Sequence, residues 1–312
     1  MGINPTMPKV AAARRVFRHA QHVRSLVIGG SGLVGLHMAA ALRELGEVRA
    51  TYRTWPAPGL EPLDIRDRSG VEARVRALGP ELVVCAAADA HVDGCERDPV
   101  ATHAVNVQGV ANVVDAAIGA GATVMYFSSD YVFDGAAGPY AEDDPLAPIN
   151  EYGRQKVEAE RIVRSAPSRM ILRTSGVFGW EPRRKNFVCQ VIDRLRVGST
   201  MSAADDQILC PTWAVALAEA ARELVAAGAR GVVHVVGPEA LTRAAFARRI
   251  AHAFDLDERL VRAVTTPELG LVAPRPRNSA LRDDRLRQLL GRPLPRVERA
   301  LAEMRATEVA AP

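Results

Sequence analysis

From Val23 onward, apolar runs of strand length alternate with longer amphipathic stretches, and this alternation restricts the fold more than any other feature of the chain. The runs VRSLVIG, EVRATYR, ELVVCAAA, TVMYFSS and RMILRTS are separated by helix-like stretches near Leu33 to Leu45, Val71 to Leu78, Val100 to Gly119 and Glu151 to Arg164. Strands that lack polar alternation must be covered on both faces. The pattern therefore predicts a doubly wound α/β fold, a parallel sheet with helices on either side.

After Gly179 the alternation weakens. Helix-like stretches follow near Phe187 to Val197, Trp213 to Ala227 and Thr242 to Phe254, with one more strand signal at GVVHVVG. Proline and glycine then cluster between Pro267 and Pro276, ahead of two short helical segments. This predicts a dinucleotide-binding unit over 24–178, to which 206–238 returns, and a smaller C-terminal α/β substrate lobe over 179–205 and 239–312. Residues 1–23, with Arg14, Arg15 and Arg18 and no acidic residue, read as a flexible tail, with a transit peptide as the sharper alternative.

Composition narrows the function classes. No run of about 18 apolar residues occurs, so no membrane span is expected and a cytoplasmic location is. Cys85, Cys95, Cys189 and Cys210 show no CxxC pairing and no matching histidines, which argues against a zinc site or a disulfide framework. The net charge of +4 comes mainly from arginine, whose planar fork suits phosphate contact. The basic residues are spread along the chain without aromatic interleaving, so no nucleic-acid partner is expected.

The segment VIGGSGLVG follows the first strand and opens a helix, with Gly29, Gly32 and Gly35 in GxxGxxG spacing. A tight turn, a close approach to a pyrophosphate and close helix–strand packing each demand glycine, and the helix N-terminus offers free N–H groups to the anion. The turn residues Gly29, Ser31, Gly32, Leu33, Val34 and Gly35 are thus assigned to a dinucleotide on a Rossmann sheet. After the second strand stands Arg53 rather than an acidic residue, which favours NADPH, with NADH as the alternative. Asp64, beside Ile65, is expected to accept from the adenine amino group.

Tyr152 and Lys156 form a YxxxK pair on a predicted helix, which places both side chains on one face. A tyrosine with a pKa of about 10 needs a nearby cation to favour its phenolate at neutral pH, and Lys156 can supply one. Ser129 ends the TVMYFSS strand, where carboxyl ends of parallel strands build a ligand crevice. Its hydroxyl can bind a substrate carbonyl while Tyr152 donates a proton. Alternation along the strand puts the neighbouring Ser128 on the other face.

The string FSSDYVFDG followed by GPYAEDDPLAPINEYGRQK resembles the signature of dTDP-4-dehydrorhamnose reductases, within the extended short-chain dehydrogenases. The similarity runs from about Leu26 to Leu290. It implies catalytic roles for Ser129, Tyr152 and Lys156, a cofactor lining of Ala86, Ala87 and Ala88, and a site shaped beneath the substrate by Asp130 and Tyr131. KNF at Lys185 to Phe187, DDQ at Asp205 to Gln207 with Pro211-Thr212, and RPxNSAL from Arg275 to Leu281 are similar to substrate-lobe motifs. These imply nucleotide and diphosphate contacts from Asn186, Gln207 and Arg275.

The activity implied is reduction by NADPH of the C4 carbonyl of a nucleotide-diphosphate 4-keto-6-deoxy sugar, with a homodimer compatible. The alternatives are an NAD-retaining epimerase or dehydratase, and a non-catalytic NADP-binding regulatory subunit like the methionine adenosyltransferase beta subunit. Two departures touch the expected sugar pocket: Asp89 replaces an aromatic, and Gly176 follows RTS where an aromatic is usual. His91 and Val92 are the adjoining substrate candidates, although a lone histidine there also suits a structural role.

Overall fold

The computed structural model describes residues 22–308. The expected tail over 1–23 lies outside the described residues, except for His22 and the buried Val23. The first half runs β1 (Ser25–Ile28), α1 (Leu33–Leu42), β2 (Val48–Tyr52), β3 (Leu60–Pro62), α2 (Arg68–Leu78) and β4 (Leu82–Cys85). It continues through α3 (Val92–Arg97), α4 (Pro99–His103), a π-helical turn at Ala104–Gly109, α5 (Val110–Gly119), β5 (Thr123–Ser129), α6 (Glu151–Val163) and β6 (Arg169–Thr174). The second half holds β7 (Val177–Phe178), α7 (Phe187–Arg196), β8 (Met201–Ala204), β9 (Ile208–Leu209), β10 (Thr212–Trp213), α8 (Ala214–Ala226) and β11 (Gly231–His234). Then come β12 (Leu241–Thr242), α9 (Arg243–Ala253), β13 (Val261–Val264), α10 (Asp284–Leu290) and α11 (Val297–Ala306).

Seven parallel strands form the central sheet in the order β11-β6-β5-β4-β1-β2-β3. The doubly wound parallel architecture is thus present. The chain winds one way from β1 and then the other from β4, so a crevice opens between the ends of β1 and β4. Within β1, Val27 faces a cluster with Met38, Leu42, Leu217 and Leu224, whereas Leu26 and Ile28 face one with Val71, Val113, Ala117 and Ala159. Burial on both faces is why these strands carry no polar alternation. A third apolar cluster joins α7, α9 and α11 in the smaller lobe, beside the parallel pair β8–β13.

Three features escape periodicity. β3 is three residues with Pro62 at its end, tolerated because it pairs only with β2 at the sheet edge. The helical stretch after Val100 is interrupted by the π-turn at Ala104–Gly109. The small pairs β7–β10 and β9–β12 span two residues each, too short for any repeating pattern.

A buried ion pair fastens α6 to the sheet. Glu160 accepts from Arg173 Nε at 2.8 Å and Nη2 at 2.9 Å, and from Ser128 Oγ at 2.6 Å. Both charged side chains are 1% exposed. Arg173 Nη1 also donates to Glu142 O at 3.0 Å and lies 3.3 Å from His234 Nε2. Burial, aided by the Arg173 charge, lowers His234 to about 3, so its neutral ring can accept from Arg173 while Nδ1 donates to Arg282 O at 3.2 Å. Removing one partner leaves the other charge buried and alone, so Glu160→Ala should lower the unfolding free energy by about 3–5 kcal/mol in denaturant titration. A loss below about 1 kcal/mol, the size of an exposed pair, would show that the pair does not fasten the helix.

Candidate active site

The glycine turn is built for a ligand that approaches backbone. Gly29 has φ of +90°, and a Cβ there would lie 2.7 Å from Ala87 N. A Cβ on Gly35 would collide with Gly29 O, so α1 packs directly on the turn. The helix starts with Gly32 at its N-cap, without a side-chain cap and without an acidic residue in its first turn. Its N–H groups are therefore left for an anion, and the cradle fits a dinucleotide pyrophosphate.

Gly29, Ser31, Gly32, Arg53, Ile65, Ala86, Ala87 and Ala88 line one crevice. Leu33, Val34 and Gly35 form the first turn of α1 and do not line it. Arg53 has no ion pair among the described residues, and its Nε lies 3.4 Å from Thr54 Oγ1. Asp64 differs from expectation: it borders a neighbouring depression with Arg53 and Leu63, and its carboxylate is taken by Arg66, whose Nε lies 3.0 Å from both oxygens. That bond holds the Asp64 carboxyl below the usual range.

The sequence reading missed Trp55 and Arg183, which line the same crevice. Trp55 is 51% exposed, unusual for a large aromatic, and exposure is set by the fold and not visible in the sequence. Arg183 arrives from the smaller lobe on the loop that crosses α1, where His37 Nε2 lies 3.3 Å from Trp180 O.

Ser129, Tyr152 and Lys156 meet at the carboxyl end of β5. Asn150 caps α6 by accepting from Gly153 N at 2.8 Å, and its Nδ2 donates to Pro274 O at 2.9 Å, which ties the helix start to the lobe. Lys156 Nζ donates to Phe127 O at 2.8 Å and lies 5.7 Å from the centre of the Tyr152 ring. Burial lowers Lys156 to about 8, opposed by Cys85, Glu160 and Cys95. Burial, then the Asp130 charge, pushes the Tyr152 phenol well above its ordinary range, opposed by the nearby Ser129 hydroxyl. The phenol therefore stays protonated, the form a proton donor needs, rather than being drawn towards phenolate by the ammonium.

Asp130 is a buried hub. Its carboxylate accepts from Ser129 Oγ at 2.9 Å, Ser175 Oγ at 2.7 Å and Ser279 Oγ at 2.6 Å. Burial raises its pKa against those donors. Tyr131 sets its ring edge-on to Tyr152, with centres 6.0 Å apart. Ser128 turns to the opposite side of β5, to Glu160.

Other assigned side chains are engaged within the protein. Asn186 caps α7 and donates to Gly179 O at 2.8 Å. Gln207 donates to Thr266 Oγ1 at 3.0 Å and accepts from Arg243 Nε at 3.0 Å. Arg275 pairs with Asp93 at 2.7 Å and donates to Ala273 O, so it locks the proline-rich loop onto α3 instead of presenting a free phosphate clamp. His91 is the exposed N-cap of α3, followed by the half-buried Val92. Asp89 accepts from His91 N at 3.1 Å, and its backbone exchanges hydrogen bonds with Asn106 of the π-turn. Gly176 has φ of +50°, a left-handed conformation that any side chain would strain, and Leu209 Cδ1 lies 2.5 Å from where its Cβ would stand.

The family model for the RmlD substrate binding domain matches residues 23–309. The chain is 34% identical over 288 residues to a dTDP-4-dehydrorhamnose reductase of Sinorhizobium fredii, covering 88% of this chain and 94% of that protein. It is 29% identical over 275 residues to the methionine adenosyltransferase 2 subunit beta of Xenopus tropicalis, covering 85% and 82%. The crystal structure of dTDP-4-dehydrorhamnose reductase from Bacillus anthracis in complex with NADP is similar with a TM-score of 0.85 at 28% identity, covering 91% and 99%.

Gly35→Ala should force α1 off the turn and weaken NADPH binding at least about ten-fold, the equivalent of about 1.4 kcal/mol, in a fluorescence titration. Unchanged affinity would place the dinucleotide elsewhere.

Proposed function

The chain belongs to the RmlD substrate binding domain family, and on that premise we propose that it is an NADPH-dependent reductase of a nucleotide-diphosphate 4-keto-6-deoxy sugar. The observation that carries the reading is the meeting of a buried, protonated phenol, a serine hydroxyl and an ammonium at the end of β5, beside the glycine crevice. Bound NADPH supplies the hydride that reduces the ketone carbon. Gly29, Gly32 and Ala86 to Ala88 would seat the cofactor, and Arg53, which makes no ion pair among the described residues, would meet the 2′-phosphate that distinguishes NADP from NAD. Trp55 and Arg183 close the same crevice from the edge of the sheet and from the smaller lobe.

Tyr152 delivers its proton to the ketone oxygen as charge develops there, and Ser129 steadies that oxygen. Lys156 holds positive charge under the phenol, so that the phenolate left after transfer is stabilised. Asp130 orients Ser129 through their 2.9 Å hydrogen bond. The regulatory reading draws on the resemblance to the methionine adenosyltransferase 2 subunit beta, and would be supported by NADPH binding without turnover of any keto-sugar. We also propose a cytoplasmic, homodimeric protein without a nucleic-acid partner. Among the described residues no helix is long and apolar enough to cross a membrane.

Loss of NADPH absorbance with dTDP-, GDP-, UDP- and CDP-linked 4-keto-sugars tests the activity. Tyr152→Phe should retain NADPH binding and lower turnover on the order of 10² or more, while turnover equal to wild type would remove the phenol from the reaction. The pH profile of kcat/KM is a separate check. Lys156 is charged below about 8, so the rate should fall as pH rises through that value, with no acidic limb from Tyr152, which stays protonated. A rate that kept rising above pH 8 would show that the ammonium is not needed.

A further inference from the structure

Arg243, on the smaller lobe, has no part in the chemistry described so far. It is the first residue of α9, directly after the N-cap Thr242. A cation at that end faces the positive pole of the helix, and the first turn carries no acidic residue to offset it. It is nonetheless half-buried and held in one orientation. Its Nε donates to Gln207 Oε1 at 3.0 Å, its backbone N–H donates to Gln207 O at 3.0 Å, and its guanidinium carbon lies 5.3 Å from the centre of the Phe187 ring. Gln207 is in turn anchored to Thr266 Oγ1.

The acidic neighbours do not take the charge. Asp205 accepts from Thr242 Oγ1 at 2.7 Å, and Asp206 accepts from Thr266 N at 2.9 Å and Oγ1 at 2.6 Å. Arg243 makes no ion pair among the described residues, so both terminal nitrogens of a pre-oriented fork remain for a ligand. The direction is informative as well. Ser279 Oγ, which donates to Asp130, lies 3.4 Å from the carbonyl of Ile208, the residue after Gln207. Arg243 is also near enough to Asp130 to oppose the rise in its pKa. It thus belongs to the part of the lobe that reaches the Asp130 hub beside Ser129, the side towards which the nucleotide end of a sugar held at Tyr152 would extend.

We propose that Arg243 grips the diphosphate of the nucleotide-sugar substrate, and that Gln207 and Phe187 are positioning residues that aim it. An arginine fork can bind two phosphate oxygens at once, and its unfavourable place at a helix start is compensated when an anion arrives. The inference rests on the reductase reading.

Calorimetric titration separates the two. NADPH-saturated protein is titrated with dTDP, UDP, GDP and CDP, and with the corresponding monophosphates. Wild type should prefer one diphosphate over its monophosphate, and Arg243→Gln should lose about ten-fold or more on the diphosphate while the monophosphate, NADPH affinity and melting temperature stay close to wild type. Gln207→Leu should show a smaller loss of the same kind, because the fork remains but is no longer aimed. Diphosphate binding by Arg243→Gln equal to wild type would overturn the inference and leave the reductase reading standing. Wild type that binds none of the nucleotides would overturn both. Should Arg243→Gln unfold, Arg243→Lys decides, since it keeps the charge without the fork: a reduced preference for the diphosphate supports the inference, and wild-type preference overturns it.

Discussion

The Glu160–Arg173 pair is the joint on which the site depends. Glu160 lies one helical turn beyond Lys156 on α6, Arg173 lies on β6, and Ser128 of β5 donates to the same carboxylate. β5 and β6 are in register with Ser128 opposite Arg173 and Ser129 opposite Thr174. A helix clamped at that register must present Tyr152 and Lys156 to the end of β5, and the next residue along, Ser129, must face them. A buried ion pair contributes modestly to net stability, but its geometry is unforgiving, and that suits a part whose purpose is placement.

The smaller lobe is sewn to the site at several points rather than resting against it. Ser279 reaches the Asp130 hub, Asn150 ties the start of α6 to Pro274, and Arg275 pairs with Asp93 on α3. Motif residues whose types suggest ligand contact therefore serve in part as rivets between lobes. Among the described residues Arg53 and Arg183, which line the crevice, make no ion pair, and neither does Arg243 on the lobe. Burial sets the protonation of the reacting groups: it keeps the phenol protonated and brings the ammonium down to about 8. A protonated phenol and an ammonium thus coexist at neutral pH on one face of α6.

Much of this was legible in the chain. Strands buried on both faces cannot alternate in polarity, so their apolar runs announced the parallel sheet, and the spacing of Gly29, Gly32 and Gly35 announced the turn. The i, i+4 spacing of Tyr152 and Lys156 settled that they share a helix face. β3, the π-turn and the two-residue strands were not legible, because each is shorter than a period or breaks one.

What the sequence determined alone is what local rules govern: which segments are strands and helices, where backbone must lack a Cβ, and which residue types could carry the chemistry. Only the tertiary structure decided which candidates are free to act. Asn186, Gln207 and Arg275 are polar and motif-borne, yet their partners come from segments distant in the chain or from the cap of their own helix. Trp55 and Arg183 drew no attention in the sequence, and folding brought both to the lining of the crevice. Whether a polar side chain is spent or available depends on who its neighbours are, and those neighbours are fixed only when strands far apart in sequence come into register.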